Sequence, residues 1–166
     1  MIRKSIYTIF AASLLYFGFV YLVASGYLGK YEGPGTISSI KTPNEILDKR
    51  LKDQFDAKES IGITNEKIIL FGDLHVHTTY SSDAFLMSLP MLAGEGTHPP
   101  ADACDFARYC SSLDFWSNTD HAEDLTPQDW IEIKDTIRQC NEVSGEGPQD
   151  TIAFLGWEWT QEGGFG

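Results

Sequence analysis

Two histidines one residue apart close a short apolar run, in Gly72-Asp73-Leu74-His75-Val76-His77. On an extended chain Asp73, His75 and His77 share one parity and project to one side. The two imidazoles can then bind one metal ion or two adjacent ones. An isolated His-x-His is more often a surface or core pair than a ligand pair, so the reading depends on company. That company is Asp83 in Ser81-Ser82-Asp83, His121 in Asn118-Thr119-Asp120-His121, and Glu158 in Gly156-Trp157-Glu158-Trp159. Taken singly, Asp83 reads equally well as a turn or capping residue, and Glu158 as a salt-bridged strand end. Taken together, three successive apolar runs each lead into a ligand-type residue, and imidazole mixed with carboxylate suits zinc, manganese or iron. Asp73 and Asp120 adjoin these ligands and are placed to orient imidazoles from behind. No P-loop, nucleophile elbow or Ser/His/Asp arrangement offers a covalent mechanism instead.

Elements able to position such residues follow from Lys67 onward. Ile68-Ile69-Leu70-Phe71, Leu113-Asp114-Phe115-Trp116 and Ile152-Ala153-Phe154-Leu155 read as buried-type strands. After the first comes a long irregular Gly/Pro-rich stretch and a helix from about Pro100, with Ala103, Phe106, Ala107 and Tyr109. After the second, Thr126-Pro127-Gln128-Asp129 is a capped helix start, with Trp130, Ile133 and Ile137 at helical spacing. Strands separated by helices predict βα units in a parallel sheet or barrel, an architecture that gathers the C-terminal strand ends around one mouth.

The charge balance fits a cation better than a polyanion. The chain has 166 residues, 24 acids and 12 bases, for a formal charge of −12. Residues 67–166 hold seventeen acids against Lys67, Arg108, Lys134 and Arg138, and also all four histidines. No nucleic acid is expected as a partner, since binding by phosphate neutralisation needs the opposite sign. A hydrophobic content of 42% is ample for a packed core.

Residues 1–30 form a separate unit. Ser5 to Gly29 carry no charge, a length that meets the roughly 20 residues of a membrane span. Arg3 and Lys4 in front would keep the N-terminus cytoplasmic. A signal anchor through residues 5–29 competes with a signal peptide cleaved near Ala24-Ser25-Gly26, and a buried globular helix is the third reading. Either membrane reading exports the remainder, to the periplasm or outside the cell, anchored or secreted. Residues 31–66 form a spacer, opening with Tyr31-Glu32-Gly33-Pro34-Gly35. Within it Thr42-Pro43-Asn44-Glu45 predicts an N-cap, Pro at N1 and Glu at N3, ahead of a short amphipathic helix with Ile46, Leu47, Leu51 and Phe55 on its packing face. Export permits one disulfide among Cys104, Cys110 and Cys140; the ends of successive parallel helices suggest Cys110–Cys140, against three buried thiols.

Asp73-Leu74-His75-Val76-His77-Thr78-Thr79-Tyr80-Ser81-Ser82-Asp83, together with Thr119-Asp120-His121, resembles the first two motifs of the PHP (polymerase and histidinol phosphatase) superfamily. Ala101-Asp102-Ala103, Phe106-Ala107-Arg108-Tyr109 and Leu155-Gly156-Trp157-Glu158-Trp159-Thr160 look more like a branch of large exported PHP-like proteins known as domain of unknown function 3604. The resemblance covers residues 67–166. It implies a distorted (β/α)7 TIM-like barrel of about seven strands, holding two or three divalent ions. His75 and His77 would be the opening ligand pair, Asp83 the acid six residues after the second, His121 the second-motif histidine, and Glu158 a carboxylate bridging metals. The usual Ser-Asp-Gly reads Ser82-Asp83-Ala84, and His98 matches no motif. Clustered ions acidify a shared water for hydrolysis, and the resemblance implies a small-molecule phosphoester as substrate. A non-phosphate substrate, or a non-catalytic exported metal-binding module, are the alternatives. Against that pattern, residues 67–166 read as the N-terminal portion of the barrel, with further ligands and a general acid still required and no turnover expected from this chain alone.

Overall fold

The computed structural model describes residues 2–24, 33–64, 67–87 and 97–161. Ser25-Gly26 of the proposed cleavage site, the end of the uncharged run, Tyr31 and Glu32, the irregular stretch 88–96 and the last five residues lie outside them. Ile2–Ala24 is one continuous helix, α1. Its stretch Lys4–Leu22 has a mean hydropathy of 1.7 and buries none of its residues, so it is long and apolar enough to cross a membrane.

The spacer contributes α2 (Asn44–Ser60), which differs from expectation at its start and on its docked face. Pro43 occupies the cap position and no side chain caps the helix. The Thr42 hydroxyl instead donates to Asp150 Oδ2 at 2.6 Å, a buried charge-assisted bond that outcompetes a solvent-exposed cap. Ile46, Leu51 and Phe55 stay about half exposed. The docked face is polar: Gln54 Nε2 donates to Asp114 Oδ2 at 2.6 Å, and Arg50 Nε lies 3.4 Å from Asp114 Oδ1.

Three strands follow: β1 (Gly72–Val76), β2 (Phe115–Asn118) and β3 (Ile152–Leu155). They form a parallel sheet in the order β1-β2-β3. The first two begin later than the apolar runs suggest. Asp114 takes Phe71 into the approach to the sheet, accepting from its N–H through Oδ2 at 2.8 Å and donating to its carbonyl at 2.8 Å, so pairing in register starts at Gly72↔Phe115. A Cβ at Gly72 would lie 2.4 Å from the Phe115 ring, and only glycine permits that approach. These elements establish a mixed α/β class with a parallel sheet; three strands form an open sheet, and closure into a barrel is not seen among the described residues.

Between β1 and β2 come α3 (Ser82–Met87), α4 (Pro100–Asp105) and a π-helical turn, Phe106–Cys110. Between β2 and β3 comes α5 (Pro127–Glu142), capped as expected: Thr126 accepts from the Asp129 N–H, and Asp129 accepts from the Thr126 N–H. One face of the sheet carries the core, with fully buried Trp116 and Ala153 packed among Cys104, Ala107, Ile133, Ile137 and Cys140. The opposite face leaves Ile152 and Phe154 nearly half exposed. Asn141 of α5 covers the middle of the outer edge of β3, donating to the Ala153 carbonyl at 2.9 Å and accepting from its N–H at 2.8 Å.

The disulfide joins Cys104 to Cys140, with Cα atoms 6.1 Å apart, and Cys110 is free and exposed. The expected Cys110–Cys140 pairing fails on helical geometry. Cys104 shares the inward face with Ala101, Ala107 and Arg108 at spacings of three and four, whereas Cys110, six residues on, falls on the far side. Beside the disulfide Arg108, fully buried, donates to Asp150 Oδ2 at 2.9 Å and to the Cys140 carbonyl at 2.7 Å. Asp150 also accepts from Ser144 Oγ at 2.8 Å. Burial pushes its pKa up, but the bonds from Thr42, Ser144 and Arg108 outweigh burial and hold it below the ordinary carboxylate value.

Asp150 therefore contributes stability at neutral pH that is lost as pH falls through its lowered folded pKa. Replacing Asp150 by Asn should cost about 3 kcal/mol in denaturant unfolding at pH 7, because Arg108 is left buried without its counter-charge. The variant should also lose less stability than wild type on acidification below about pH 4; parallel pH profiles would contradict this. Peptide mapping without reductant should recover Cys104 linked to Cys140 and Cys110 as a free thiol, and a Cys110–Cys140 peptide would contradict the packing described here.

Candidate metal centre

The ends of the three strands meet because the parallel ladder continues past them. Beyond β2 and β3, His121 and Glu158 form a parallel bridge of their own. Glu158 N donates to the Asp120 carbonyl at 3.0 Å, and Ala122 N donates to the Glu158 carbonyl at 2.9 Å. On the other side, Thr119 N donates to the Val76 carbonyl at 2.9 Å. The β1–β2 register slips between Asp73 and Val76, but the His75 and His77 rings still stack, with centroids 4.8 Å apart and planes 9° from parallel. Asp83 enters from the first turn of α3. Ala84 lies in that helix and needs no positive φ, so the missing glycine of Ser82-Asp83-Ala84 leaves the turn intact.

All five candidate ligands come together. His75 Nε2 and His77 Nε2 lie 3.0 and 2.9 Å from Glu158 Oε2, and His121 Nε2 lies 3.9 Å from the same oxygen. His77 Nδ1 is 3.3 Å from Asp83 Oδ1, and His121 Nε2 is 3.4 Å from Asp83 Oδ2. Two overlapping triads result, His75/His77/Glu158 and His77/Asp83/His121, each with its donor atoms within 4.8 Å of one another. His77 presents a different nitrogen to each, and a neutral imidazole has one acceptor nitrogen. It can therefore ligate in only one triad while its N–H donates to the carboxylate of the other.

The centre is wet on one side and packed on the other. His77 and His121 side chains are 14% and 18% exposed, and His75 is 68% exposed. Burial pushes the His121 pKa down, but Asp83, Glu158 and Glu123 outweigh it and hold the value above that of an ordinary imidazole. For Asp83, burial pushes up; the Ala84 N–H and the His77 and His121 imidazoles prevail, and its pKa is lowered.

The two aspartates expected behind the imidazoles have other partners. Asp73 Oδ1 accepts from the His75 backbone N–H at 2.9 Å. Fully buried Asp120 accepts from Thr78 N at 2.6 Å, Thr78 Oγ1 at 2.7 Å and Asn118 Nδ2 at 2.9 Å. It fastens the backbone after His77 to the end of β2, setting ligand positions without touching a ring. His98 stands apart, 3.3 Å from Asp102.

Several positioning residues escaped the sequence reading. Ser81 Oγ accepts from the His121 backbone N–H at 3.0 Å, and Thr160 Oγ1 lies 3.2 Å from His121 Nδ1. A Cβ at Gly156 would lie 2.6 Å from Ser117 Oγ and 2.9 Å from the Asn118 carbonyl, so glycine lets β3 run close to β2 just before Glu158. Its signal was the glycine directly after an apolar run, a feature it shares with Gly72.

No curated protein and no solved structure matches the chain. Residues 64–125 match the model of a family described as Protein of unknown function (DUF3604), a segment that takes in His75, His77, Asp83 and His121.

Proposed function

We propose that this chain carries the metal centre of an exported, metal-dependent hydrolase acting on a small-molecule phosphoester. The observation that supports the reading most is the single carboxylate of Glu158 within 3.9 Å of three imidazoles, two from the end of β1 and one from beyond β2. Donors at about 2.1 Å from a tetrahedral ion lie roughly 3.4 Å apart, and the spacings of 2.9–3.4 Å among the nearest donors fit that requirement. His75, His77 and Glu158 would hold one ion; His121 and Asp83 would hold a second, with Glu158 shared. Zinc, manganese or iron suits the donor set, and such ions supply Lewis acidity and acidify a coordinated water. The protein's own part is to fix the donors: Asp120 anchors the segment after His77, and Ser81 and Thr160 hold His121. The PHP-like barrel and the phosphoester preference rest on motif resemblance.

Export is part of the proposal. The apolar helix α1 would anchor the protein with its domain in the periplasm or outside the cell, or serve as a cleaved signal, and a buried Cys104–Cys140 disulfide suits an oxidising compartment. A reporter fused after residue 66 should be active only where exported; activity confined to the cytoplasm would contradict export.

Metal analysis tests the centre. Wild type should retain transition metal through gel filtration, and the His75→Ala/His77→Ala double variant should lose most of it with helical content unchanged. Gly156→Ala removes no ligand but displaces Glu158, and should weaken metal affinity about tenfold or more, since ligand orientation is worth that much. Equal stoichiometry in all three proteins would overturn the ligand assignment. Inorganic phosphate should then perturb the electron paramagnetic resonance signal of bound Mn2+ and fail to bind the EDTA-treated protein. An unperturbed signal would point to the non-phosphate reading.

A further inference from the structure

Beside His75 and His77 lies a groove of about 810 Å3 lined in part by residues of the π-helical turn. Resting on the hydrolase reading above, we infer that this groove seats the organic part of the substrate, and that this part is apolar and neutral or positively charged, not anionic. Asp73, His75 and His77 line it together with Phe106 and Tyr109. Phe106 is 62% exposed although it flanks the core, which leaves a ring face open to a ligand.

The charged groups of the groove all have one sign apart from the histidines. Asp73, Asp102 and Asp105 line it, and no lysine or arginine does among the described residues. The cations of residues 67–166 are few, and three are committed elsewhere. Arg108 is sealed against Asp150, Lys134 lies over the Trp130 ring, and Arg138 pairs with Asp135 and Glu142. An anion entering the groove would lose water with no cation to meet it, whereas a cation would gain both carboxylates and ring faces. A second observation points to a ligand. Trp116 also lines the groove, fully buried, and its indole N–H has no hydrogen-bond partner among the described residues. A buried donor of this kind calls for an acceptor, which an ether, ester or carbonyl oxygen of a neutral group supplies.

The division of labour is then chemical. The reacting group meets the metal-binding cluster, where the ions neutralise negative charge, and the groove reads the remainder by excluding negative charge.

Calorimetric titration of the full chain in lipid nanodiscs, first in EDTA, tests this with three probes of similar size: benzyltrimethylammonium, benzyl alcohol and benzoate. Affinity should fall in that order, with at least about a tenfold gap, or about 1.4 kcal/mol, between the first and the last. Phe106→Ala should weaken the first two together, while Asp102→Asn should weaken only the cation, by about threefold as expected for a partly exposed charge. Neither residue contacts the imidazole cluster, and the wild-type order needs no variant at all. Benzoate binding as tightly as the cation in EDTA, or no probe binding, overturns the inference. Failure of the hydrolase reading looks different: the probe order persists in EDTA while Mn2+ confers no phosphate binding.

Discussion

Everything at the candidate centre depends on parallel register. Because β1, β2 and β3 run in the same direction, their C-terminal ends emerge on one side, and residues from three distant segments gather without any long-range loop having to be placed. The ladder does not stop at the strands. The His121↔Glu158 bridge and the Thr119-to-Val76 hydrogen bond carry it to the candidate ligands themselves. Side chains on such an extension inherit the precision of backbone pairing. Gly72 and Gly156 make that pairing possible, since each occupies a place where a Cβ would collide with the neighbouring strand.

Behind the sheet, stability is concentrated in a few strong ties. The Cys104–Cys140 disulfide and the Arg108–Asp150 pair lock α4, α5 and the approach to β3 together, and Thr42 extends the lock to the spacer. By loop-closure entropy a disulfide enclosing 36 residues contributes about 4 kcal/mol. A rigid side therefore supports a cluster of candidate ligands that is open to water at His75. Ile152 and Phe154 on the other sheet face, and Ile46, Leu51 and Phe55 of α2, stay about half exposed.

The clustering of the candidate ligands was legible in the sequence because strand ends advertise it: an apolar run, then His, Asp or Glu, repeated three times. Helix α5 was legible because Thr126, Pro127 and Asp129 form a complete local cap. What was not legible depended on partners far along the chain. Thr42 looked like a cap until Asp150, 108 residues away, claimed its hydroxyl. The docking face of α2 looked apolar because nothing nearby reveals that Arg50 and Gln54 meet Asp114. The strand starts slipped by Asp114's capture of Phe71. The cysteine pairing turned on which side of a short helix faces inward, which helical spacing could have settled. Asp73 and Asp120 lie beside the candidate ligands, but they bond the His75 and Thr78 backbone and the Thr78 and Asn118 side chains instead of the imidazole rings.

Anomalous diffraction from crystals grown with zinc would test the central claim most directly. The account predicts a peak at about 2.0–2.2 Å from Glu158 and from at least two of His75, His77 and His121. Zinc found only elsewhere, for example between His98 and Asp102, with the Glu158 cluster empty, would contradict it.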